Sequence, residues 1–519
     1  MRSIYVTTPI YYVNDKPHIG HAYTSIAADA LCRWHRRCGD DVWMLTGTDE
    51  HGQKVLRSAA LRGISPQAHC DELSEHFRAL LRLVGVQNDD FIRTTEPRHT
   101  RVVQAVLQHL YDRGDIYAAD YEGWYSTAAE RFWTEKDLID GKCPDTGQAV
   151  EWVTEKNWFF KMGAYADQLR AWIDENPGFL APASRKSEVV GALRKEIGDL
   201  CISRPKERMS WGIELPFDPD YVTYVWFDAL INYISFVGYT PDPSLPDFES
   251  VWTGRPVHII GKDIMVPAHG IYWLAMLRAL GFSDEKMPQL LVHGWWNRSG
   301  EKMSKSLGNI VDPSELVDTF GVDALRYYLV RDIHTGKDSN FDVERLVMLF
   351  NTELANELGN LCNRALNMSV RFTESVISPG GPLTADDTAL QQSLIDSTAA
   401  YRKAMDNHEV SMGLEALNRH VVHCNQYAER MKPWELNKNP ENKERLATVL
   451  HHLAESVAHC AVLLSPVLPD AAAKLADQLK LPKLTDHKLD DLKWGLVHSG
   501  HEIEKPSPVF PRIEVKAAE

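Results

Sequence analysis

The sequence predicts an α/β protein in which an inserted module splits a parallel sheet and an all-α helix bundle follows. Three observations predict this class. A strand, a loop, a helix and a second strand follow one another near the start, a long middle stretch loses this alternation, and the last third has helical apolar spacing. At 519 residues the chain is also too long for one hydrophobic core.

The chain begins with a strand–helix–strand unit. Residues 3–8 form a short β-branched strand, a proline-containing loop is expected over 9–17, and an amphipathic helix runs over 19–38 until Gly39 ends it. Residues 41–47 form the second strand. A helix that crosses between two consecutive strands makes them parallel, so this unit starts a parallel sheet.

Residues 116–220 interrupt this alternation because they are rich in Trp, Gly, Pro and charged side chains. Strand and helix patterns return afterwards in the stretches YVTYVWFDALINYISFVGY, VHIIGKD, HGIYWLAMLRALG and QLLVHGW. We therefore interpret residues 116–220 as a module inserted into the sheet domain.

Helical patterns dominate from Arg345 onward. Helices are expected near 386–408, 411–431 and 441–464, after a break at SPGGPLTADD, and an irregular proline-containing tail follows them. The helix before the break has one apolar stripe at three- and four-residue steps, made of Phe350, Leu354, Leu358, Leu361, Ala365, Met368 and Phe372. A C-terminal helix bundle follows from these patterns.

These patterns divide the chain into five segments. Residues 1–115 and 221–300 are the two halves of the sheet domain, and residues 116–220 are the inserted module between them. Residues 301–345 form a linking segment that begins with a lysine-containing loop, and residues 346–519 form the helical domain with the C-terminal tail.

Composition argues against several classes of protein. No run of about 18 uncharged apolar residues is present, and the start, MRSIYVTTPIYY, lacks the basic and apolar regions of a secretory signal. Eight cysteines without paired spacing suit free thiols in a reducing compartment better than a disulfide framework. A cytoplasmic protein without a membrane partner is therefore expected.

The formal net charge of −16 argues against non-specific binding of nucleic acid, because such binding depends on the neutralisation of phosphates. A local basic face on an acidic body can nevertheless hold RNA, and the overall repulsion then suppresses non-specific contacts. The net charge alone therefore does not show whether the protein binds RNA, and the sequence motifs are needed to answer this question.

The first motif, His18-Ile19-Gly20-His21, lies between the first strand and the first helix. A helix N-terminus offers unpaired N–H groups and a partial positive charge, both of which suit phosphate. Gly20 lets a base or phosphate approach the backbone, and the two imidazoles can donate hydrogen bonds to oxygens that gain charge. An isolated match of this length is more often a pair of surface histidines that cap a helix.

The second motif, Lys302-Met303-Ser304-Lys305-Ser306, follows Ser299-Gly300-Glu301 and is expected to be a loop. Two lysines among small residues can reach a triphosphate and follow its charge into the transition state. Taken alone, such a pair is more often a solvated basic loop. The order of the two motifs, about 280 residues apart with the sheet pattern between them, is more specific than either motif.

Together the motifs resemble the signature of the class I aminoacyl-tRNA synthetases, which use ATP to form an aminoacyl-adenylate on a Rossmann-like fold. Longer stretches resemble the methionyl-tRNA synthetase family, and they lie between about residue 4 and about residue 470: TPIYYVNDKPHIGHAYTSIAADAL, WMLTGTDEHG, DLCISRPKERMSWGI, YVWFDALINY, IIGKD and EKMSKSLGNIVDP. The inserted module is too short for the editing module of the related enzymes for branched aliphatic amino acids. The resemblance implies ATP-dependent activation of L-methionine and its transfer to initiator and elongator tRNA(Met).

The resemblance also implies which residues bind each substrate. The catalytic residues would be His18, His21, Lys302 and Lys305. The ATP-binding residues would be His18, Gly20, His21, Gly261, Asp263 at the ribose, and Lys305 as the main phosphate lysine. The methionine-binding residues would be Ile10, Tyr12, Asp49, Trp226, Ala229, Leu230, Tyr233, Ile264 and His269.

The physical chemistry of these assignments is consistent with the substrate. Asp49 can pair with the substrate ammonium, and Tyr12, Trp226 and Tyr233 are polarizable partners for a thioether. Each ring, taken alone, is more often part of a core. His269 is also one residue further from the Gly261-Lys262-Asp263 stretch than in many members of the family.

One departure from the family concerns zinc. Some members hold zinc in the inserted module with a tyrosine followed by CxxC, then ExF, then Cys-Pro-x-His. Here Ser126, Ala129 and Thr146 replace three of the four ligands, and Cys143 remains. A tetrahedral zinc site needs four ligands, so no structural zinc is expected. Packing of Phe132 and Trp133 is expected to keep the shape of this knuckle.

The helical domain contains the residues that would bind the anticodon. Asn360, Arg364 and Trp434 match the positions at which the family reads CAU. The four-residue step between Asn360 and Arg364 puts both on one helix face, and unstacked bases bind to aromatic, amide and guanidinium groups. If the resemblance is set aside, Asn360 and Arg364 are more often part of a solvent-exposed helix face, and a tryptophan such as Trp434 is more often part of a hydrophobic core.

Two alternatives and the remaining partners complete the expectations. A nucleotidylyl transferase acting on a small molecule would be shorter and would lack the helical domain, and a silent RNA-binding paralogue would have degenerate motifs. ATP is expected to arrive with Mg²⁺, since no dedicated metal cage is visible. A monomer is expected, because the length leaves no room for the oligonucleotide-binding domain through which some relatives dimerise.

Overall fold

The computed structural model describes residues 2–127, 129, 131–195, 197–241, 246–303, 308–484, 488–489 and 492–514. The first half of the sheet domain alternates strands and helices, as its apolar patterns predict. Its elements are β1 Ser3–Tyr12, α1 Ile19–Arg37, β2 Asp41–Asp49, α2 Gln53–Leu61, α3 Pro66–Leu83, β3 Asp90–Arg93 and α4 Pro97–Asp112.

Strand β1 continues beyond its predicted end, so the expected loop over 9–17 is wrong for its first residues. The pairing of β1 with β2 shifts register between Thr7 and Ile10 and then resumes as far as Tyr12. A bulge at this point accommodates Pro9, which has no N–H for the ladder. The bulge keeps Ile10 and Tyr12 on a strand beside the end of β2.

The inserted module is mostly antiparallel. One of its sheets has the order β5-β4-β6-β8 and another has the order β10-β11-β9, whereas β7 joins the parallel sheet of the main domain. Its elements are β4 Ile116–Ser126, β5 Arg131–Trp133, β6 Glu151–Phe160, α5 Ala166–Glu175, β7 Leu180–Ala181, α6 Lys186–Leu193, β8 Leu200–Cys201, β9 Ser203–Pro205, β10 Glu214–Leu215 and β11 Asp218–Thr223.

The second half of the sheet domain completes the central sheet. Its elements and those of the linking segment are α7 Val225–Leu230, α8 Asn232–Ser235, α9 Pro246–Val251, β12 Val257–Gly261, α10 Leu274–Ala279, β13 Gln289–His293, β14 Trp296–Arg298, β15 Glu301–Lys302, α11 Pro313–Phe320, α12 Val322–Arg331 and β16 Ser339–Asn340. The six-stranded sheet has the order β3-β2-β1-β12-β13-β7, and all its pairs are parallel. The predicted α/β class is confirmed.

The C-terminal domain is the predicted helix bundle. Its elements are α13 Val343–Leu349, α14 Asn360–Thr373, β17 Val376–Ile377, α15 Ala385–Asp406, α16 Val410–Met431, α17 Pro433–Leu436, α18 Lys443–Leu464, α19 Pro469–Gln478 and β18 His501–Glu502. A π-helical stretch, Phe350–Gly359, joins α13 to α14. The tail folds back on the bundle, because β18 pairs with β17.

Helix α18 is the centre of this bundle. Together with the turn before it, Pro440–Leu464 is long and apolar enough to cross a membrane by length and composition alone. Its most apolar window is 94% buried inside the fold, however, which is the property of a core helix. The helix therefore gives little support for a membrane span.

A buried arginine joins the sheet domain to the helical domain. Arg326 of α12 is 1% exposed, and its guanidinium contacts Asp29 of α1 at 2.7 Å. It also donates to the backbone oxygens of Val84 at 2.8 Å and Val467 at 2.7 Å. A buried charge is tolerated only when it is paired and hydrogen-bonded, and Arg326 meets this condition through three different segments.

We predict that Arg326→Ala lowers the free energy of unfolding by about 3 kcal/mol or more, because it leaves buried oxygens without their donor. Denaturant unfolding followed by tryptophan fluorescence measures the change. Arg82→Ala is the matched control, since Arg82 pairs with Glu75 in an exposed ion pair whose loss changes stability by less than about 1 kcal/mol. Equal midpoints for the two variants would contradict the role of Arg326.

Candidate functional site

A cleft of about 660 Å³ opens at the carboxyl ends of the central strands of the parallel sheet. Strands β2 and β3 extend from β1 in one direction, and β12, β13 and the short β7 of the inserted module follow in the other. Ligands of open parallel sheets bind at such a switch point. The N-terminus of α1 and the helix α7 form further parts of the walls.

The two histidines of the first motif form the N-terminal cap of α1. His18 Nδ1 accepts the Gly20 N–H at 3.0 Å, and His21 Nδ1 accepts the His18 N–H at 3.0 Å. Because each Nδ1 accepts, each neutral ring carries its proton on Nε2, which remains as a donor at the cleft. Gly20 is required here, since a Cβ would lie 2.8 Å from His18 Cε1.

Burial keeps both rings neutral. Desolvation, with a smaller contribution from Lys302, lowers the pKa of His18 to about 4. Desolvation and the neighbouring His18 lower the pKa of His21 well below its ordinary value. The pair therefore presents two neutral N–H donors at the positive end of a helix, which is an arrangement that suits phosphate oxygens.

The first lysine of the second motif lines the cleft. Lys302 is in strand β15, not in the expected loop, and its Nζ is 3.2 Å from Asp263 Oδ2. Trp295 Nε1 donates to the other Asp263 oxygen at 3.3 Å. Although burial raises the pKa of Asp263, Lys302 and Trp295 lower it below its ordinary value. The predicted phosphate lysine Lys305 lies outside the described residues.

All nine residues predicted to bind methionine line the same cleft as His18, His21 and Lys302. Asp49 ends β2 and is 8% exposed, whereas Trp226, Ala229 and Leu230 lie on α7. The cleft therefore combines a carboxylate with an aromatic and apolar wall, as a hydrophobic amino acid requires.

His269 lines the cleft from a π-helical segment. This segment is Met265–Trp273, and Val266 near its start has a non-helical backbone. His269 Nδ1 donates to the Ile264 oxygen at 2.8 Å, so its Nε2 accepts the Tyr233 hydroxyl at 2.8 Å. Burial lowers the pKa of His269 to about 4, which keeps the ring neutral.

Trp295, His293 and Lys54 also line the cleft, and the sequence patterns did not single them out. Lys262 and Lys302 each place an ammonium 4.0 Å from the Trp295 ring centroid. His293 ends β13 and contacts Thr24 of α1 at 2.9 Å, and Lys54 lies 5.8 Å from the Tyr12 ring. The signal that could have found His293 and Trp295 is the HGWW stretch directly after a buried parallel strand.

The segment of the inserted module in which some relatives hold zinc contains Cys143 and several aromatic side chains. Cys143 is buried, and although burial raises its pKa, hydrogen bonds from Ser126 and Thr146 lower it below the ordinary value. The Arg204 guanidinium lies about 5 Å from the rings of Tyr125 and Phe132. Within the described part of the chain, no cluster of three or more His, Cys, Asp or Glu side chains could hold a metal ion.

The three residues predicted to bind the anticodon lie in the helical domain. Arg364 pairs with Glu429 at 2.8 Å, and its guanidinium lies 5.2 Å from the Trp434 ring centroid. Asn360 lies one turn earlier on α14, where a cavity of about 300 Å³ is also lined by Pro508–Phe510 of the tail. The structure therefore brings Arg364 together with Trp434 and leaves Asn360 exposed nearby.

Comparisons with known proteins identify relatives of the whole chain. The model of the tRNA synthetases class I (M) family matches residues 4–153 and 138–366, and that of the anticodon binding domain of methionyl tRNA ligase matches 377–519. A methionine–tRNA ligase of Caldanaerobacter subterraneus subsp. tengcongensis is 43% identical over 99% of this chain and 80% of its own length. One of Bacillus subtilis is 42% identical over 99% of this chain and 78% of its own length.

Solved structures of methionyl-tRNA synthetases are also similar to this chain over almost its whole length. Mycobacterium tuberculosis methionyl-tRNA synthetase bound by methionyl-adenylate superposes with a TM-score of 0.92 at 37% identity, over 98% of this chain and 100% of that one. Its free form superposes with a TM-score of 0.87 at 34% identity, over 99% of both chains.

We predict that His18→Asn slows amino-acid-dependent pyrophosphate exchange by about 10²-fold, the scale of one lost preorganised donor. Asparagine still caps the helix, because its side-chain oxygen can replace the Nδ1 acceptor, so the melting temperature should change little. His18→Ala removes both functions and should lower the rate and the melting temperature together. A wild-type exchange rate in His18→Asn would contradict the phosphate role.

Proposed function

The chain belongs to the methionyl-tRNA synthetase family of class I, and from this premise we propose how its residues divide the reaction. It activates L-methionine with ATP to methionyl-adenylate and transfers the methionyl group to tRNA. One observation supports the assignment of residues most directly: a single cleft is lined by the candidate methionine residues and by the described candidate ATP residues.

ATP binds, in this proposal, between the α1 cap and the end of β12. His18 and His21 donate Nε2–H groups to the triphosphate, and Gly20 leaves room for it. Asp263 faces the ribose of ATP. Gly261 lets the Asp263 carboxylate lie close to the backbone, because a Cβ at position 261 would lie 2.7 Å from Asp263 Oδ1. Lys305 is the main phosphate lysine and Lys302 assists it.

Methionine binds with its ammonium at Asp49 and its side chain against α7. The walls are formed by the nine residues Ile10, Tyr12, Asp49, Trp226, Ala229, Leu230, Tyr233, Ile264 and His269. Sulfur–aromatic contacts contribute about 0.3–1.5 kcal/mol each. This placement directs the carboxylate toward the phosphate end of the same cleft.

The reaction is an in-line displacement. A methionine carboxylate oxygen attacks the α-phosphorus, the bond to the β-phosphate breaks, and pyrophosphate leaves with the electron pair. The protein contributes positioning and charge stabilisation, since no covalent step is required. In this proposal His18, His21 and Lys302, which line the cleft, face the departing oxygens on which negative charge accumulates.

ATP enters as its magnesium complex, and no structural zinc is bound. Loss of three ligand positions at Ser126, Ala129 and Thr146 supports the second statement, because one remaining thiol cannot complete a tetrahedral site. The contacts of Arg204 with Tyr125 and Phe132 provide packing for the same knuckle.

Asn360, Arg364 and Trp434 read the CAU anticodon of initiator and elongator tRNA(Met). The ring of Trp434 offers a stacking surface, and the Arg364 guanidinium beside it offers planar donors for a base edge. The Arg364–Glu429 ion pair would orient the guanidinium before RNA arrives.

The chain acts as a monomer in the cytoplasm, without a membrane partner. Its functional segments are the catalytic halves 1–115 and 221–300, the connective module 116–220, the linking segment 301–345 and the anticodon-binding segment 346–519. Sedimentation at micromolar concentration tests the oligomeric state.

Pyrophosphate exchange with each of the twenty amino acids tests the central proposal. Exchange should require methionine, and the same preparation should charge both initiator and elongator tRNA(Met). A nucleotidylyl transferase for another small molecule would exchange pyrophosphate independently of methionine. A silent RNA-binding protein would give no exchange with any amino acid.

We predict that Trp434→Ala lowers kcat/KM for tRNA charging roughly ten- to a hundred-fold, because one stacked base contributes about 1–3 kcal/mol. Methionine-dependent pyrophosphate exchange should remain unchanged, because Trp434 lies in the helical domain and does not line the cleft of the sheet domain. Trp434→Phe is the matched control, because it keeps a ring and should retain most of the charging. An equal loss of charging and exchange in Trp434→Ala would defeat the assignment.

Metal analysis tests the zinc proposal. Protein purified without chelators should contain far less than one zinc per chain by elemental mass spectrometry. Treatment with EDTA, followed by excess MgATP, should leave both the exchange rate and the melting temperature unchanged. One tightly held zinc per chain, whose removal lowers the melting temperature, would overturn the proposal.

A further inference from the structure

A fully buried carboxylate lies directly behind the methionine wall. Asp228 is 0% exposed and occupies the α7 position between Trp226 and Ala229. Its Oδ2 lies 2.6 Å from His51 Nδ1, and its Oδ1 lies 2.7 Å from His99 Nε2. We call His51, Asp228 and His99 the histidine–aspartate cluster. Among the described residues that line the cleft, none belongs to this cluster.

The cluster connects the two ends of the methionine pocket. His51 lies two residues after Asp49, the proposed ammonium anchor at the end of β2. Asp228 belongs to the helix that carries the side-chain wall. The short hydrogen bond between His51 and Asp228 therefore joins the end of β2, which carries Asp49, to α7, and neither of its two residues lines the cleft.

His99, the third member of the cluster, also contacts α8, the helix that follows α7. His99 of α4 is 0% exposed, and its Nδ1 lies 2.7 Å from Ser235 Oγ of α8. Ser235 Oγ in turn donates to the Asn232 backbone oxygen at 3.2 Å, and Asn232 lines the cleft. The network thus holds α7 and α8 against α4 as well as against the end of β2.

Burial of such a carboxylate is unfavourable unless both oxygens receive donors. Desolvation raises the pKa of Asp228, but the two histidines lower it below its ordinary value, so the carboxylate is ionised at neutral pH. Hydrogen bonds to a charged acceptor are shorter and roughly twice as strong as neutral ones. The cluster is therefore a stiff connection. Its two hydrogen bonds fix the distance of α7 from His51 and from α4.

We infer that the histidine–aspartate cluster sets the separation between the ammonium anchor Asp49 and the α7 wall, and thereby the length of amino-acid side chain that the pocket accepts. This inference rests on the proposed methionine pocket. The three residues are positioning residues, because the substrate contacts Asp49, Trp226 and Ala229 in place of them. A pocket of fixed length discriminates one methylene by roughly 10- to 200-fold.

A purely structural role predicts different behaviour. A buried polar cluster that only stabilises the fold would, when broken, lower the melting temperature and the amount of active enzyme. It would leave the KM for methionine and the preference between amino acids unchanged in the molecules that remain folded. Kinetic discrimination between side-chain lengths therefore separates positioning from stability.

The test compares His51→Leu with His51→Asn in the full-length protein. Leucine removes the donor to Asp228, whereas an asparagine amide can place a nitrogen near the former Nδ1 position. In His51→Leu, the KM for methionine in pyrophosphate exchange should rise about ten-fold or more, and the KM for ATP should stay within about two-fold. The preference for methionine over ethionine, which is one methylene longer, should fall about ten-fold, and His51→Asn should recover most of both.

His420→Leu is the matched control for burial. His420 is also 0% exposed and hydrogen-bonded, but its partners Ser393 and Cys424 belong to the helical domain. This variant should lower the melting temperature and leave the KM for methionine and the methionine–ethionine preference at wild-type values. Should His51→Leu not fold, the isosteric Asp228→Asn takes its place with the same expected results.

Asp49→Asn distinguishes failure of the inference from failure of the proposed pocket. If Asp49→Asn leaves the KM for methionine unchanged, the pocket assignment is wrong and the inference falls with it. If Asp49→Asn raises this KM strongly, whereas His51→Leu or Asp228→Asn changes only the melting temperature, the pocket stands and the positioning role is overturned.

Discussion

The pairing of β1 with β12 is the constraint on which the functional cleft depends. Val6 pairs with Val257 and Thr7 with His258, so strands about 250 residues apart in sequence lie side by side. The buried Thr7 hydroxyl contacts His258 Nδ1 at 2.8 Å, a contact that local patterns do not specify. Because both strands are parallel, both deliver their following residues to one edge of the sheet. The histidine cap of α1 and the cleft residues from the second half of the sheet domain share one cleft only when this non-local pair has formed.

Helix α1 extends this constraint to the rest of the molecule. Its N-terminus forms the histidine cap at the cleft, and its remaining turns contact the helical domain. Trp34 Nε1 donates to Asp406 at 3.0 Å, Arg37 Nε donates to Ser465 Oγ at 3.2 Å, and Asp29 receives the buried Arg326. The helical domain, which carries the proposed anticodon residues, is thus fixed to the same 19-residue helix that begins at the proposed ATP site. A single rigid element therefore relates the two functional ends.

Local spacing predicted most of the helices, because apolar periodicity is a property of neighbouring residues. The helix expected over 411–431, for example, is Val410–Met431 in the structure. Strands whose pairing is non-local were harder to predict. Strand β7 has two residues and no pattern of its own, yet it joins the central sheet through β13. Trp295 was missed for a similar reason, since its importance comes from Lys262 and Lys302, which reach it from other segments.

The π-helical segment Met265–Trp273 carries a polar contact of the cleft wall. His269 Nε2 accepts the Tyr233 hydroxyl at 2.8 Å. In that bond the tyrosine proton is committed to His269, whose own proton is committed to the Ile264 oxygen. Burial lowers the pKa of the imidazole and raises that of the phenol, so neither group is charged. A charged side chain in this part of the cleft would lose its hydration without gaining an ion pair, whereas a thioether loses little. In the proposed methionine pocket, these two hydrogen bonds in series therefore favour a neutral, polarizable side chain.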